Sequence, residues 1–368
     1  MSQQKSKAAV LVKARAPIEL WKYDVPTPGP GCINVEVLRA GVCGTDAHLW
    51  EGDLEFPEPF VLGHEGLGQI IELGPGVTTD HASQPISVGD LVLWNPLRPC
   101  HSCYNCSVTG DYTSCRAGNI FSWARGSVIS ATYTQVANLQ ACNSFFRLNP
   151  EVPLDAYVAL GCALPAILQG LEHLDGIPPG STVVVQGAGP VGLAAVMMAK
   201  ISGATNIVCI EGNANRLRRA GEFGATVLVD MKSHPTVEDR AKYIEQNAIG
   251  NTGVQIVIEC SGHISAFEEG VYHLSQNGKY LLVGMWAGNK TVNFSPFAVV
   301  RKALTIVGSN LAKPRQYYDL TKIVEANWQR FPLEACVTHR YRLHESEKAF
   351  KAIASGEVGK AVILPQDV

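Results

Sequence analysis

The stretch TVVVQGAGPVGLAAVMMAKISG, Thr182–Gly203, decides the fold. A run of β-branched residues ends in Gly187-x-Gly189-x-x-Gly192 and passes straight into an apolar segment long enough for a helix. The glycine pattern alone is common; between a strand and a helix it has a physical meaning. Gly187 allows a tight turn, Gly189 leaves a backbone that a pyrophosphate can approach, and Gly192 lets helix and strand pack closely. Pro190 and Val191 open the helix, whose free N–H groups and positive dipole end face the phosphates. Glu211 ends the next strand, NIVCIE, 24 positions after Gly187. A carboxylate there can hydrogen-bond the adenosine ribose hydroxyls and repel a 2′-phosphate, which favours NAD. Arg216 stands near enough to flank the adenine ribose or to soften that repulsion. Val283, closing the strand-like KYLLV, is a further cofactor-contacting candidate.

Working outward, VLVD, VQIVIECSG, KYLLVGMW and LTIVGS alternate with helical stretches such as RLRRAGEFGA. Alternating units predict a parallel sheet covered by helices on both faces. Before Pro178-Pro179-Gly180 the character differs. Ala8–Val12, Ile33–Leu38, Leu67–Leu73 and Leu91–Trp94 are short β runs set between Gly and Pro. An amphipathic helix over Gln316–Asn327 and a last strand near Ala361–Leu364 close the chain. The expected division is a β-rich domain over 1–155, a dinucleotide domain over 156–303 and a C-terminal segment over 304–368.

The charge balance, net −3 with a pI near 6.4, gives no basic face for nucleic acid or an anionic membrane. The most apolar run, 156–171, is interrupted by Pro165 and Gln169 and is too short to span a bilayer. The N-terminal residues lack the apolar core of a secretory signal. The expectation is a cytoplasmic protein, in which eleven cysteines are ligands or buried apolar groups rather than disulfides.

Cys100, Cys103, Cys106 and Cys115 place four thiols within sixteen positions. Four thiolates close a tetrahedral structural zinc site, and a loop so clamped needs no apolar core of its own. A disulfide pair or a nucleic-acid ribbon would use similar spacing; the compartment argues against the first and the acidic chain against the second. His101 lies inside the cluster, where four cysteines already fill the shell. A second signal is softer. GVCGTDAHLW supplies Cys43, Thr45, Asp46 and His48, and LGHEGLG supplies His64 and Glu65. A catalytic zinc takes three protein ligands and keeps one position open. Cys43 and His64 are two candidates. Cys162, just before the dinucleotide domain, is a third, although an isolated cysteine is more often a core residue. Thr45 could instead cap a helix starting at Asp46, His48 could be a surface histidine, and Glu65 could pair with a buried arginine.

Together, GVCGTDAH, GHEGLG, the four-cysteine loop, Gly161-Cys162, GAGPVG with Glu211, and VGKAVI near the end resemble the medium-chain zinc-dependent alcohol dehydrogenases over essentially the whole chain. The resemblance implies an α/β protein: a GroES-like, partly open β-barrel completed by the C-terminal segment, plus a doubly wound Rossmann domain, with the active site in the cleft between them. It implies two zinc ions and NAD. Cys43, His64 and Cys162 match the catalytic zinc ligands, Glu65 the acid beside that metal, and Asp46 the carboxylate that orients the histidine ligand. Thr45 and His48 match a proton relay from the alcohol to solvent. Polyol and threonine dehydrogenases of the superfamily usually carry a carboxylate where Cys162 stands, so they match less well, and zinc-free quinone reductases lack both cysteine groups. Three features depart from the family. The interval from Cys106 to Cys115 is one residue longer than usual, Gly44 stands where some members place a phosphate-binding side chain, and residues 116–135 have unusual composition.

The implied activity is hydride transfer between NAD and an alcohol, expected to be secondary, cyclic or aromatic. Trp50, Trp94, Phe121, Trp123, Trp286 and Asn310 are candidate pocket residues. The alternatives are an NAD(P)H-dependent carbonyl reductase working in reverse and a non-catalytic nicotinamide-binding scaffold. A homodimer or homotetramer is expected, with no nucleic-acid or membrane partner.

Overall fold

A computed structural model describes residues 5–56, 58–126, 128–249, 253–284, 291–292, 294–356 and 358–367. Two compact units divide the chain: Met1–Pro165 with Ala312–Trp328 and Leu333–Val368, and Ala166–Leu311 with Gln329–Pro332.

In the first unit the central strand Ile33–Gly41 pairs antiparallel with Glu65–Leu73, Val136–Leu139 and Lys360–Leu364. Val337–Arg342 and Leu91–Trp94 followed by Phe145–Arg147 extend that sheet on its two sides. The C-terminal strand therefore pairs directly with residues from the first fifty, so the tail belongs to the N-terminal fold. A smaller sheet joins Glu19–Asp24, Lys5–Leu11, Phe60–Val61 and Ser122–Trp123. Residues around Tyr133 stitch the two sheets. Tyr133 donates its N–H to Leu62 and accepts from Ala9, while Gln135 accepts from Val37 and donates to Lys7. Ile33, Val35, Trp94, Phe121, Tyr133, Phe350 and Ile363 pack into one buried core, the main source of stability for such sheets.

The second unit carries a six-stranded sheet in the order Val227–Asp230, Asn206–Glu211, Thr182–Gln186, Val254–Glu259, Leu274–Leu282, Thr305–Gly308. Every pairing is parallel. Thr182–Gln186 is buried at all five positions, as a strand covered on both faces must be. The strand order reverses beside it, and its end is where ligands bind in such sheets. Helix Pro190–Ile201 follows at once, with proline in the first turn, where its missing N–H costs nothing.

The units part later than the sequence boundaries at 155/156 and 303/304. Helix Leu154–Val158 packs on the strands of the first unit, so the chain stays there through Cys162. Thr305–Gly308 pairs with Leu274–Leu282, which keeps it in the second unit. The helix expected from Gln316 starts at Pro314, again with proline in its first turn.

Candidate metal centres and cofactor cradle

Strand Ile33–Gly41 leads through Val42 to Cys43, the N-cap of helix Gly44–Glu51. Asp46, not Thr45, organises that cap: its Oδ2 accepts the Cys43 N–H at 2.9 Å. Thr45 lies inside the first turn, with its hydroxyl 3.6 Å from the Cys43 thiol. His64 and Glu65 stand at the start of the strand paired with Ile33–Gly41. Cys162 follows Gly161 in the turn before helix Ala163–His173. These segments, far apart in sequence, bring one donor atom each from Cys43, His64, Glu65 and Cys162 within 4.8 Å of one another. The Cys43 and Cys162 sulfurs are 3.3 Å apart.

Buried groups surround this cluster. Asp46 Oδ1 faces His64 Nδ1 at 3.4 Å, outside hydrogen-bond geometry, and Tyr133 donates its hydroxyl to Asp46 Oδ2 at 3.0 Å. Lys360 reaches Glu65 Oε2 from the C-terminal strand, and both side chains are buried. Glu65 Oε1 has no hydrogen-bond partner. A Cβ at Gly41 would come within 2.0 Å of the Glu65 carboxylate and one at Gly161 within 2.3 Å. Glycine at these two positions is what gives the acid its place.

Contact with Cys162 holds the Cys43 thiol well below its usual range against the opposing effect of burial, and the same contact together with burial pushes Cys162 well above it. Burial is the largest single influence and works to lower the His64 pKa, but the Asp46 charge together with the contacts to Asp46 and Cys43 outweighs it and raises the pKa. Burial also works to raise Glu65; Lys360, with His64, overcomes it and holds the carboxyl below its ordinary value. Two thiols, an imidazole and a carboxylate of this character, with atoms left unpaired in a buried place, fit a zinc ion.

The second cluster is local. The sulfurs of Cys100, Cys103, Cys106 and Cys115 also lie within 4.8 Å of one another. Contacts run from Cys100 to Cys115 at 3.5 Å, Cys115 to Cys103 at 4.0 Å and Cys103 to Cys106 at 3.6 Å. Tetrahedral zinc with bonds of about 2.3 Å would set sulfurs about 3.8 Å apart, so this set fits the ion too. The extra residue between Cys106 and Cys115 is absorbed by a wide turn over Asn105–Thr109, in which Gly110 N–H reaches the Asn105 carbonyl five residues back. A turn of this kind accommodates one inserted residue. Asp111 then accepts from Thr113 N–H and Oγ1 and from Ser114 Oγ, shaping the return to Cys115. His101 lies outside the thiol group, its ring edge against Tyr112.

In the second unit, Gly187 turns at φ 92°, and a Cβ at Gly192 would meet the Gly187 carbonyl at 2.0 Å. Gly189 faces open space, which suits a ligand phosphate held by the helix N-terminus behind it. Glu211 Oε2 accepts the Ala188 N–H at 2.8 Å, while Oε1 accepts from Gly212 and Asn213. The carboxylate is thereby pinned beside the glycine turn. Arg216 Nε is buried without a hydrogen-bond partner. Val283 N–H donates to the Glu259 carbonyl at the end of the neighbouring strand.

Comparison with known proteins places this geometry. An alcohol dehydrogenase GroES-like domain model matches residues 29–145, and a zinc-binding dehydrogenase model matches residues 190–326. The 5-exo-hydroxycamphor dehydrogenase of Pseudomonas putida is 37% identical over 361 residues, 98% of this chain and 99% of the relative. The chain belongs to the zinc-dependent medium-chain alcohol dehydrogenases. The L-threonine 3-dehydrogenase of Pyrococcus horikoshii is 31% identical over 94% of both chains. The crystal structure of an alcohol dehydrogenase from Thermotoga maritima superposes with a TM-score of 0.91 at 30% identity, covering 99% of this chain and 100% of that one. A Sinorhizobium meliloti structure bound to NADP gives a TM-score of 0.85 at 25% identity, covering 99% and 100%. This dehydrogenase is thus an enzyme that uses zinc and a nicotinamide cofactor to interconvert alcohols and carbonyl compounds, built on a GroES-like domain and a Rossmann-like parallel sheet.

Some expected site residues stand apart from the metal cluster. His48 is half-buried and turns its Nδ1 to Asp53 at 3.0 Å. Trp94 is a core residue, packed against Gly66. Trp50 donates to the Ala16 carbonyl and lies near Phe350. Asn310 is exposed in the second unit. Trp123 lies in the short strand Ser122–Trp123, and Trp286 falls outside the described residues. Phe121 meets His64 edge to face at 5.6 Å and groups with Phe56 and Phe60. Sequence reading missed Lys360 and Tyr133. Lys360 had a visible signal, a lone cation in the apolar run VGKAVIL, whereas nothing in SATYTQ marked Tyr133.

Proposed function

We propose that this dehydrogenase oxidises a bulky secondary alcohol, cyclic or aromatic, with NAD, and holds two zinc ions. The convergence of Cys43, His64 and Cys162 from three distant segments, with Asp46 behind and Glu65 beside them, carries the reading. Those three side chains would hold the catalytic ion and the four cysteines of 100–115 the structural one. Zinc, when bound, supplies Lewis acidity that lowers the pKa of an alcohol hydroxyl and polarises a carbonyl. Thr45 and His48 sit at positions i and i+3 of one helix, hence on a common face. Thr45 passes the hydroxyl proton outward, and His48, steadied by Asp53, releases it to solvent. Glu65 keeps one oxygen on Lys360 and offers the other to the cluster. Gly187, Gly189, Pro190, Val191 and Gly192 cradle the cofactor's pyrophosphate, Glu211 takes the adenosine ribose, and Val283 borders the cofactor.

Two observations support the substrate class. The Pseudomonas putida relative acts on a hydroxycamphor by its name, and the buried Phe121, packed with Phe56 and Phe60, gives His64 an apolar neighbour edge to face. A second reading, use of NADP, draws on the unpartnered Arg216 Nε and on the NADP-bound relative. A cytoplasmic homodimer or homotetramer completes the proposal, since thiolate ligands need a reducing compartment and Thr305–Gly308 ends the parallel sheet.

The test is NADH formation over primary, open-chain secondary, monocyclic, bicyclic and aromatic alcohols, with NADP in parallel. The expected result is the highest kcat/KM for a cyclic secondary alcohol with NAD. A preference for short primary alcohols would overturn the substrate class, and a preference for NADP would overturn the role of Glu211.

A further inference from the structure

We propose that Tyr133 is a positioning residue for the catalytic metal, acting through Asp46 on His64. The proposal rests on the reading of Cys43, His64 and Cys162 as the ligands.

Tyr133 is fully buried and belongs to the segment that stitches the two sheets. Its backbone is fixed on both sides by Leu62 and Ala9, and its ring is stacked on Phe350 at 6.2 Å and 17°. The phenol therefore cannot swing away. Its hydroxyl donates to Asp46 Oδ2 at 3.0 Å, and that oxygen also accepts the Cys43 N–H at 2.9 Å. A carboxylate turns easily about its last torsion, which is broad and two-fold. Two donors converging on one oxygen remove that freedom and leave Oδ1 directed at His64 Nδ1, 3.4 Å away. Asp46 thereby couples two ligands, Cys43 through its backbone and His64 through its ring, and Tyr133 sets the angle of the coupling. Burying a hydroxyl is costly unless it is bonded, and a phenylalanine would fill the same core space. The polar atom at this position is explained by its partner. Groups behind a ligand histidine fix its ring and raise its basicity, and removing one typically weakens metal binding about 10–100-fold.

The test uses the zinc-loaded protein and Tyr133→Phe, which keeps the ring and deletes the hydroxyl. Zinc release to a competing chelator is followed as two phases, one per site, and the visible spectrum is recorded after cobalt replaces the zinc. The expected result is affinity lower by about tenfold at the Cys43–His64–Cys162 site, no change at the four-cysteine site, and shifted cobalt bands. In an Asp46→Ala background, Tyr133→Phe should cause no further loss. Unchanged affinity with unchanged cobalt bands overturns the proposal. So does an equal loss in the Asp46→Ala background, or a matching loss at both sites, which would mark a fold-wide effect. His64→Ala separates the underlying reading: if it still binds both zincs tightly, the ligand assignment itself has failed.

Discussion

The two cysteine centres are built in opposite ways. The four-cysteine lobe draws every donor from sixteen consecutive positions. Its loop is tied by local bonds, the Thr113 amide and hydroxyl and the Ser114 hydroxyl all donating to the Asp111 carboxylate. The Cys43–His64–Cys162 centre gathers its donors across 119 positions between the two thiols. It is set among fully buried charges, with Asp46, Glu65 and Lys360 each fixed by a partner from another segment. In the proposed reading a metal substitutes for a core in the lobe, whereas at the other centre a complete core already holds the donors in place. Loss of metal should therefore unfold the first and leave the second largely standing.

Cys106→Ser should produce the largest structural effect. Structural zinc binding is worth on the order of 10 kcal/mol in small zinc-dependent folds, so the lobe should open. Zinc content should fall to one per chain, and limited trypsin digestion should nick rapidly at Arg116. Resistance to trypsin with one zinc would break the comparison by showing that the lobe has a core of its own.

Lys360→Ala probes the buried centre next. It leaves the Glu65 carboxylate buried without its cation, which costs about 3–5 kcal/mol when such a pair is broken. A lowered urea midpoint in zinc-free protein is the expected result. Replacing both Glu65 and Lys360 by Gln and Met should recover part of the loss, because the uncompensated charge is then gone.

Asp111→Ala is the smallest test. Loss of a capping acceptor costs about 1 kcal/mol, felt in the lobe alone. Partial burial works to raise the Asp111 carboxyl, but the hydroxyl of Ser114 and the donors of Thr113 outweigh it and hold the pKa below its ordinary value. A carboxyl held low stabilises the fold above the ordinary carboxylate range and loses that contribution as pH falls through its lowered value. Acid also protonates the cysteine ligands and releases zinc from the lobe, so the Asp111 contribution is read at neutral pH, where its carboxyl is ionised: zinc-loaded Asp111→Ala should be nicked by trypsin at Arg116 slightly faster than wild type.

The same contrast explains what the sequence could reveal. The lobe was legible because metal geometry imposes spacing on adjacent residues, and the glycine turn because Gly187–Gly192 and the strand before it are contiguous. The extra residue before Cys115 left the lobe's closure open, since a wide turn at Asn105–Thr109 depends on local hydrogen bonds that spacing does not encode. Cys162 could be selected only through a family resemblance, because nothing local distinguishes it from a core thiol. Tyr133 left no mark at all: its role exists only where the stitched sheets bring it to Asp46. Trp94 and Phe121 both belong to the buried core, and what separates them is only that the Phe121 ring also meets His64.

The most direct test of the central claim is zinc content and NADH formation in parallel for wild type and Cys43→Ser. The account predicts two zincs per chain in the wild type. In the variant it predicts one, retained by the four-cysteine lobe, with alcohol oxidation lost and the fold intact by circular dichroism. Two tightly held zincs and wild-type turnover in Cys43→Ser would contradict it.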